Sequence, residues 1–474
     1  MLFNSFEFLI FFLVFFLIFF KLNSGKLYWQ NAFLLFASYV FYGWWDWRFL
    51  SLILGSTLLD YWAGLKIKSS KQPKYILLIS VFFNLGVLFI FKYFNFFIES
   101  FYGAFNVETS TTFSTLNVIL PVGISFYTFQ TLSYSIDVYR KKIEPTSNFL
   151  AFASYVAFFP QLVAGPIERA KHLLPQFFSK KGFSYDRSIS GLKLILWGLF
   201  KKVVTADTCA EWVNIIFDPS VTFSGSTYLI GAVLFAFQIY GDFSGYSDIA
   251  IGTARILGFN LMTNFAFPYF SRDIAEFWRR WHISLSSWFK DYLYIPLGGS
   301  KGPLITVLRN VFIIFLVSGL WHGANWTFVI WGALNAMLFV PLLIRGKNRK
   351  YSREIIGLKN KISPNEWIGL LFTFIVTCFC WVFFRAETVQ QAFGIFGHIF
   401  SNSLFKLPEV RPLFVFALIF LFLTMEWIGR KVENPIEIIT KNLHPFLRSA
   451  IYVLFINMIL IFNGRQIEFI YFQF

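Results

Sequence analysis

Long apolar runs separated by short polar segments dominate the chain. Several of these runs approach the ~20 residues that a helix needs to cross the hydrocarbon core of a bilayer. The pattern therefore predicts an all-α, polytopic integral membrane protein with about eleven or twelve transmembrane helices. Because no internal repeat or low-complexity linker divides residues 1–474, a single membrane domain is the simplest interpretation. The runs lie near residues 4–21, 28–46, 48–65, 75–94, 116–138, 187–206, 225–257, 306–321, 324–344, 367–385, 412–428 and 449–463.

Two segments depart from this pattern of long apolar runs. Residues 158–169 contain two prolines and a glycine, and residues 264–300 mix aromatic with charged side chains. Non-helical backbone at membrane depth is tolerated only inside protein or along a wet cavity, so we expect a re-entrant segment at residues 158–169. For residues 264–300 we expect amphipathic and re-entrant helices on the cytoplasmic side, because a membrane interface favours tryptophan. The tryptophans of this stretch are Trp278, Trp281 and Trp288.

Composition and charge support a membrane protein and suggest its orientation. Hydrophobic residues make up 57% of the chain, charged residues 14%, and the mean hydropathy is +0.60. Lys and Arg gather in the loops at residues 66–74, 140–142 and 345–361, whereas segments 95–113 and 207–224 contain acidic residues but no Lys or Arg. Because basic loops stay in the cytoplasm, we predict a multi-pass protein of the bacterial cytoplasmic (inner) membrane with its N-terminus outside.

The net charge of +16 has the same explanation, because the basic residues lie in loops between apolar runs. Such loops suit anionic lipid headgroups or an anionic cytosolic ligand, and we expect no nucleic-acid partner. Cys378 and Cys380 are separated by one residue, which is neither a redox CxxC spacing nor a zinc spacing. We therefore expect no metal site.

Two histidines are the main chemical clue in a chain that has five. His322 lies inside the apolar stretch 311–340, where an imidazole is costly to bury, and it is followed by Gly323 and Ala324. His282 lies in a polar patch with arginines and serines. Two interpretations stay open for each histidine. His322 is either a buried ring bonded across helices or a functional group, and His282 is either an interfacial residue among headgroups or its partner.

Asp242 and Asp248 place two carboxylates in a long apolar run, so we expect them to face the protein interior or a cavity. They either cap a helix break at Gly241 and Gly245 or orient a ligand. The nearby Lys201 and Lys202 end a run and are expected to snorkel to an interface.

Acyl transfer fits this set of residues. A neutral imidazole can take a proton from an attacking hydroxyl, and a second polar group can polarise a thioester carbonyl. The phosphates of a coenzyme A donor could be held by the basic side chains of the same region, which are Arg272, Arg279, Arg280 and Lys290.

These residues stand in a pattern that resembles the membrane-bound O-acyltransferase (MBOAT) family, and within it the bacterial alginate O-acetylation branch. The likeness runs from about residue 1 to the C-terminal tail. It implies a helical fold with a thin waist between a cytoplasmic and an external funnel, and a catalytic region at about residues 121–345. The segments that carry it are Pro121–Gln130, Phe159–Ile167, Tyr240–Asp248, Phe270–Ser300 and Leu320–Trp326.

The resemblance also implies site residues and partners. His322 matches the essential histidine of the family, and His282 matches a second polar position that is Asn in many eukaryotic members. Trp321 and Asn325 share the segment of His322 and are candidate supporting residues, as are Asp242 and Asp248. No permanently bound cofactor is implied. The donor substrate would be cytosolic acetyl-coenzyme A, and the acetyl group would pass to a separate SGNH-hydrolase-like partner outside, which modifies a polysaccharide.

Other functions remain open on the sequence. Peptidoglycan O-acetylation and teichoic-acid D-alanylation share this architecture. A polytopic transporter or flippase is the alternative of another class, because broken helices and intramembrane carboxylates suit it. A non-catalytic scaffold is a third interpretation, disfavoured by the intact pair of histidines.

Overall fold

The computed structural model describes residues 1–105, 116, 119–163, 165–352, 362–432, 434–464, 467 and 469–470. The regular structure of this part of the chain is helical throughout, so the all-α prediction is confirmed. The α-helices are α1 Phe6–Lys21, α2 Leu27–Gly43, α3 Leu50–Ser69, α4 Pro73–Leu88, α5 Phe94–Phe105, α6 Ile124–Tyr139, α7 Phe149–Val156, α8 Phe159–Leu162, α9 Ala170–Leu173, α10 Tyr185–Leu199, α11 Asp207–Ile216, α12 Gly225–Ile256, α13 Ile274–Arg280, α14 Ile283–Phe289, α15 Leu304–His322, α16 Trp326–Ile344, α17 Pro364–Arg385, α18 Val389–Ile399, α19 Leu413–Gly429, α20 Pro435–Thr440 and α21 Pro445–Phe462.

In the residues that the structure describes, three π-helical turns join or extend these helices: Phe89–Tyr93, Phe200–Ala206 and Lys290–Tyr294. Short 3₁₀ turns occupy Leu22–Ser24, Trp47–Phe49, Leu174–Phe178, Pro268–Phe270 and Asn402–Phe405. A π turn places one extra residue in the helix and often marks a functional or strained position.

Every predicted apolar run overlaps a helix, and a multi-pass membrane protein is confirmed. Within the described ranges, five helical stretches are long and apolar enough to cross a membrane: Pro73–Phe105, Leu304–His322, Trp326–Ile344, Pro364–Arg385 and Pro445–Phe462. Phe149–Leu162 and Leu413–Gly429 are shorter apolar helices. The number of spans, the single domain and the external N-terminus stay predictions. Residues 353–361 of the third basic loop lie outside the described residues.

One compact unit comprises residues Met1–Gly191 and Ala250–Met262. A buried polar cluster joins α3, α4 and α6 inside it, because the Asp60 carboxylate accepts hydrogen bonds from the hydroxyls of Ser80 and Ser135 and from the Asn84 amide at 2.8 Å. Polar groups buried in this way stabilise a fold when their hydrogen bonds are made.

The segment predicted to be re-entrant belongs to this unit. After α7 the chain forms only the single turn α8 and then runs without helix to Arg169, while most of its side chains stay buried. Its buried, non-helical course agrees with the expectation from its prolines. Re-entrance into a bilayer stays a prediction, and Ala164 lies outside the described residues.

The second compact unit comprises residues Leu192–Ile249 and Thr263–Phe474. Helix α12 runs unbroken through Gly241 and Gly245, so the helix break, one of the two alternatives open for this segment, is excluded. The glycines serve packing instead. A Cβ added to Gly245 would lie 2.7 Å from the carbonyl oxygen of Gly198, and one added to Gly241 would lie 2.9 Å from that of Lys201. The missing side chains let two helices approach closely.

Helices α15 and α16 of this unit form a tight antiparallel pair. A Cβ on Gly319 would lie 2.3 Å from the Phe328 carbonyl oxygen, and one on Gly332 would lie 2.3 Å from the Phe315 carbonyl oxygen. Gly319, three residues before His322, and Gly332 on the facing helix therefore allow the two backbones to approach closely. The hairpin positions His322 at the end of α15.

Candidate functional site

His322 is the last residue of α15, and aromatic rings enclose its imidazole. The rings of Trp321, Trp331 and Phe384 lie edge-on to it, with centroids 4.9, 5.2 and 5.3 Å away. The helix ends here because Gly323 is extended, and a Cβ on Gly323 would lie 2.1 Å from the Phe328 ring. The glycine and the aromatic walls together restrict the orientation of a buried imidazole.

His282 forms the junction between α13 and α14. Its backbone is left-handed, with a φ of 43°, a conformation that a residue with a side chain adopts only when its surroundings impose it. The side chain is buried against the Phe243 ring, whose centroid is 4.6 Å away. Burial lowers the pKa of the His282 ring to about 3, so the ring is neutral at neutral pH.

Asn264 holds the His282 side chain in place. Its Oδ1 lies 3.0 Å from His282 Nδ1 and also accepts hydrogen bonds from the Ser284 hydroxyl at 2.8 Å and the Ser284 backbone N–H at 3.3 Å. The amide nitrogen of Asn264 donates to the Ser247 hydroxyl at 3.1 Å. All four side chains are buried.

The two histidines line one cavity of about 140 Å³. This volume is several times the ~30 Å³ that a water molecule occupies in the liquid. The other lining residues are apolar or carry a hydroxyl or an indole: Trp278, Leu285, Ser286, Phe289, Ile314, Phe315 and Ser318. Trp321 lies next to both rings, with its centroid 5.8 Å from His282 and 4.9 Å from His322. The structure thus brings together two imidazoles that are 40 positions apart in the sequence.

The predicted basic patch divides into two pairs. Arg272 and Arg280 are buried and both bind the buried carboxylate of Glu276, with closest distances of 3.0 and 2.8 Å. Arg272 also contacts Glu366 at 2.8 Å, and its guanidinium stacks on the Tyr351 ring at 3.7 Å. The charges of these two arginines are thereby partly neutralised inside the protein.

The other two basic residues are more accessible. Arg279 is half-buried and donates to the Asn348 carbonyl oxygen at 2.8 Å, in the loop after α16. Lys290 is exposed at the start of its π turn. A binding role for coenzyme A stays a prediction for all four residues, and these two are the better placed for a ligand arriving from solvent. Trp281 and Trp288 are buried inside the protein and do not lie at an exposed interface as expected, whereas Trp278 is partly exposed.

Asp242 and Asp248 face the protein interior, as expected, but they do so by binding lysines. Lys201 Nζ lies 2.6 Å from Asp248, and Lys202 Nζ lies 2.8 Å from Asp207 and 2.9 Å from Asp242. The prediction that Lys201 and Lys202 snorkel to an interface is therefore wrong. Both lysines belong to the π turn Phe200–Ala206, which directs two consecutive side chains into the unit, where carboxylates compensate their charges.

The C-terminal segment closes over this charged cluster. The Ile467 carbonyl oxygen accepts a hydrogen bond from Lys202 at 3.1 Å, and the Ile470 backbone N–H donates to Asp242 at 2.7 Å. Asn325, the remaining supporting candidate, caps α16 by accepting from the Thr327 backbone N–H at 3.0 Å. Asp242 and Asn325 thus have structural partners that account for their positions.

Sequence reasoning missed two residues of this site, Asn264 and Glu276. Glu276 could have been found, because it lies four positions after Arg272 and four before Arg280, the spacing at which side chains meet on one face of a helix. Nothing in the sequence near Asn264 signals its contact with a histidine 18 positions later.

A buried pair of imidazoles that lines a small cavity, inside a multi-pass helical protein, is the arrangement expected of a membrane-embedded group-transfer enzyme. Comparison with known proteins identifies the family and the kind of group that its members transfer. The family model described as "MBOAT, membrane-bound O-acyltransferase family" matches residues 140–350. The chain is 38% identical to the "Probable alginate O-acetylase AlgI" of Pseudomonas putida, over 100% of both chains.

Two further relatives carry other names. The chain is 34% identical to the "Peptidoglycan O-acetyltransferase" of Helicobacter pylori, over 94% of this chain and 91% of the relative. It is 27% identical to the "Teichoic acid D-alanyltransferase" of Bacillus subtilis, over 57% and 70%. The chain belongs to the membrane-bound O-acyltransferase family. It is therefore an O-acyltransferase. This family membership excludes the alternative of a transporter or flippase.

Proposed function

We propose that this protein moves an acetyl group from cytosolic acetyl-coenzyme A across the membrane for O-acetylation of an extracytoplasmic polysaccharide of the alginate type. A separate SGNH-hydrolase-like protein would complete the transfer outside. The name of the relative that matches over the full length of both chains supports the acetyl group and the polysaccharide. The observation that carries the chemistry is that His282 and His322 line the same cavity.

The proposed reaction is acyl transfer from sulfur to oxygen. The oxygen of an acceptor hydroxyl attacks the thioester carbonyl carbon, a ring nitrogen takes the hydroxyl proton, the carbon–sulfur bond breaks, and the thiolate leaves and recovers the proton as coenzyme A thiol. We assign the proton transfer to His322 and an assisting role to His282, which polarises or orients the substrate. The aromatic walls around His322 exclude water, which would otherwise hydrolyse the thioester.

The phosphates of the donor require positive charge at the cytoplasmic opening. Arg279 and Lys290 are the side chains that we propose for this role, because Arg272 and Arg280 share Glu276. Their position on the segment that carries His282 would connect donor binding with the cavity.

Peptidoglycan is the second candidate acceptor. The relative named for it matches nearly the whole length of this chain at an identity close to that of the alginate relatives. Acetylation assays with alginate and with peptidoglycan as alternative acceptors, each in the presence of the matching SGNH-type partner, distinguish the two.

The central test measures acetyl transfer by the protein in lipid nanodiscs. The readout is the release of coenzyme A thiol. His322→Ala is expected to lower the rate by ~10²–10⁴-fold, the usual contribution of a positioned acid–base group, while the protein stays folded. His444→Ala is the matched control, because it removes an exposed imidazole far along the chain. A well-folded His322→Ala variant with the parental rate would exclude His322 from the chemistry.

A further inference from the structure

The hydrogen bonds around His282 define which of its ring nitrogens carries the proton. The Ser284 backbone N–H can only donate, and it points at Oδ1 of Asn264 from 3.3 Å. The opposite end of the same amide lies 3.1 Å from the Ser247 hydroxyl, which can accept from an amide nitrogen. The amide of Asn264 is therefore oriented with its oxygen toward His282 and its nitrogen toward Ser247.

This orientation has a consequence for the neutral imidazole. An amide oxygen only accepts hydrogen bonds, so the contact of 3.0 Å between Asn264 Oδ1 and His282 Nδ1 requires the proton on Nδ1. A neutral ring has one N–H, so Nε2 carries the lone pair. Such a nitrogen accepts a hydrogen bond and cannot donate one to a thioester carbonyl.

We propose that Asn264 is a positioning residue that keeps His282 in the Nδ1–H form and presents Nε2 as a hydrogen-bond acceptor on the cavity shared with His322. This inference rests on the proposed function and narrows it. Of the two assisting roles open to His282, it selects orientation of a substrate O–H or N–H group and excludes polarisation of the carbonyl. His282 adopts a strained, left-handed backbone conformation, which the surrounding fold stabilises and which fixes the position of this ring.

Two substitutions at Asn264 distinguish its role as hydrogen-bond acceptor for His282 from a merely structural role. Asn264→Leu removes the hydrogen-bond acceptor, so the neutral His282 ring can carry its proton on either Nδ1 or Nε2. The rate of acetyl transfer is then expected to fall at least ~10-fold at every pH. Asn264→Asp restores an acceptor but adds a negative charge, which favours the protonated ring. A carboxylate this close raises a histidine pKa by ~1–3 units. Because the protonated ring cannot accept, the ionisation of His282 should move up into the measured pH range and add a loss of kcat/KM at its acidic end, with recovery toward the parental rate above it.

Asn310→Asp is the matched control for adding a carboxylate. Asn310 is also buried in this unit and its side-chain oxygen already accepts from Arg309, but it does not line the cavity. The pH profile of this variant should coincide with the parental one. Release of coenzyme A thiol from acetyl-coenzyme A is the readout, measured on nanodisc-embedded protein from pH 4 to 9.

Each outcome has a separate meaning. Parental protein that releases no coenzyme A would refute the proposed function itself. Active parental protein with an Asn264→Asp profile unchanged, or with a higher rate at neutral pH, would refute the role of Asn264, because a polarising His282 benefits from a stronger charge. If neither Asn264 variant folds, ¹⁵N solid-state NMR of histidine-labelled parental protein decides. It should show His282 protonated at Nδ1, and a proton on Nε2 would overturn the inference.

Discussion

Glu276→Gln is the substitution that best tests whether the arginines of this region are structural. The side chain of Glu276 is buried and accepts five hydrogen bonds: the Arg272 backbone N–H, Nε and Nη2 at 2.8, 3.0 and 3.1 Å, and the Arg280 Nε and Nη2 at 3.1 and 2.8 Å. A glutamine keeps the shape but removes the charge and one acceptor. Arg280 would then lose the charge of the Glu276 carboxylate, and Arg272 would keep its contact with Glu366.

The cost follows from the burial of these charges. Breaking a buried ion pair by neutralising one partner costs about 3–5 kcal/mol, because the remaining charge is left without compensation in a medium of low dielectric constant. A loss of this size should lower the midpoint of thermal unfolding by at least ~5 °C. We expect the loss in expression and thermal stability to exceed any direct effect on the KM for acetyl-coenzyme A.

Glu366→Gln is the graded control. Glu366 is partly exposed, its ion-pair partner Arg272 keeps Glu276 in that variant, and the Ser363 backbone N–H and hydroxyl, which donate to Glu366 Oε2 at 3.0 Å, can donate to a glutamine oxygen as well. It should cost about 1 kcal/mol or less, as expected for an accessible pair. The assay is thermal unfolding of detergent-purified protein followed by tryptophan fluorescence, with donor KM measured in parallel. Glu276→Gln protein of parental stability but with a raised KM would refute the structural role and return Arg272 and Arg280 to donor binding.

Three further predictions test donor binding, packing and orientation. Arg279→Glu should raise the KM for acetyl-coenzyme A by ~10-fold or more with little change in kcat, and a fall in kcat alone in steady-state assays would contradict donor binding. Gly319→Val should destabilise the α15–α16 pair by several kcal/mol, because even a Cβ would lie 2.3 Å from the Phe328 carbonyl oxygen; the paired control Gly394→Val meets open space, and equal thermal midpoints would argue against the close approach. A single cysteine placed at Lys71, in a chain whose buried native cysteines are replaced, should react with impermeant maleimide only after the membrane is opened, and labelling of intact cells would reverse the predicted orientation.

The helices could be predicted from the sequence because a membrane forces secondary structure to be local. Backbone N–H and C=O groups cannot bond to water in hydrocarbon, so each apolar run must satisfy them within itself as a helix. For this reason every predicted run overlaps a helix in the structure. The family and the two candidate histidines could also be recognised from the sequence, because the residues that indicate them lie in short contiguous segments such as Leu320–Trp326.

Only the tertiary structure decided the partners of the polar side chains. Asn264 meets His282 across 18 positions, and Ile470 meets Asp242 across 228. Such contacts depend on how helices pack, which hydrophobic periodicity does not encode. The same limit explains the errors at Lys201 and Lys202, because a lysine at the end of an apolar run snorkels when lipid surrounds it but stays buried when a neighbouring helix offers carboxylates. The sequence around Gly241 and Gly245 suggested a helix break because it, too, does not show which helices pack against these glycines. A glycine weakens an isolated helix, yet between packed helices the space it leaves is filled by the neighbouring backbone.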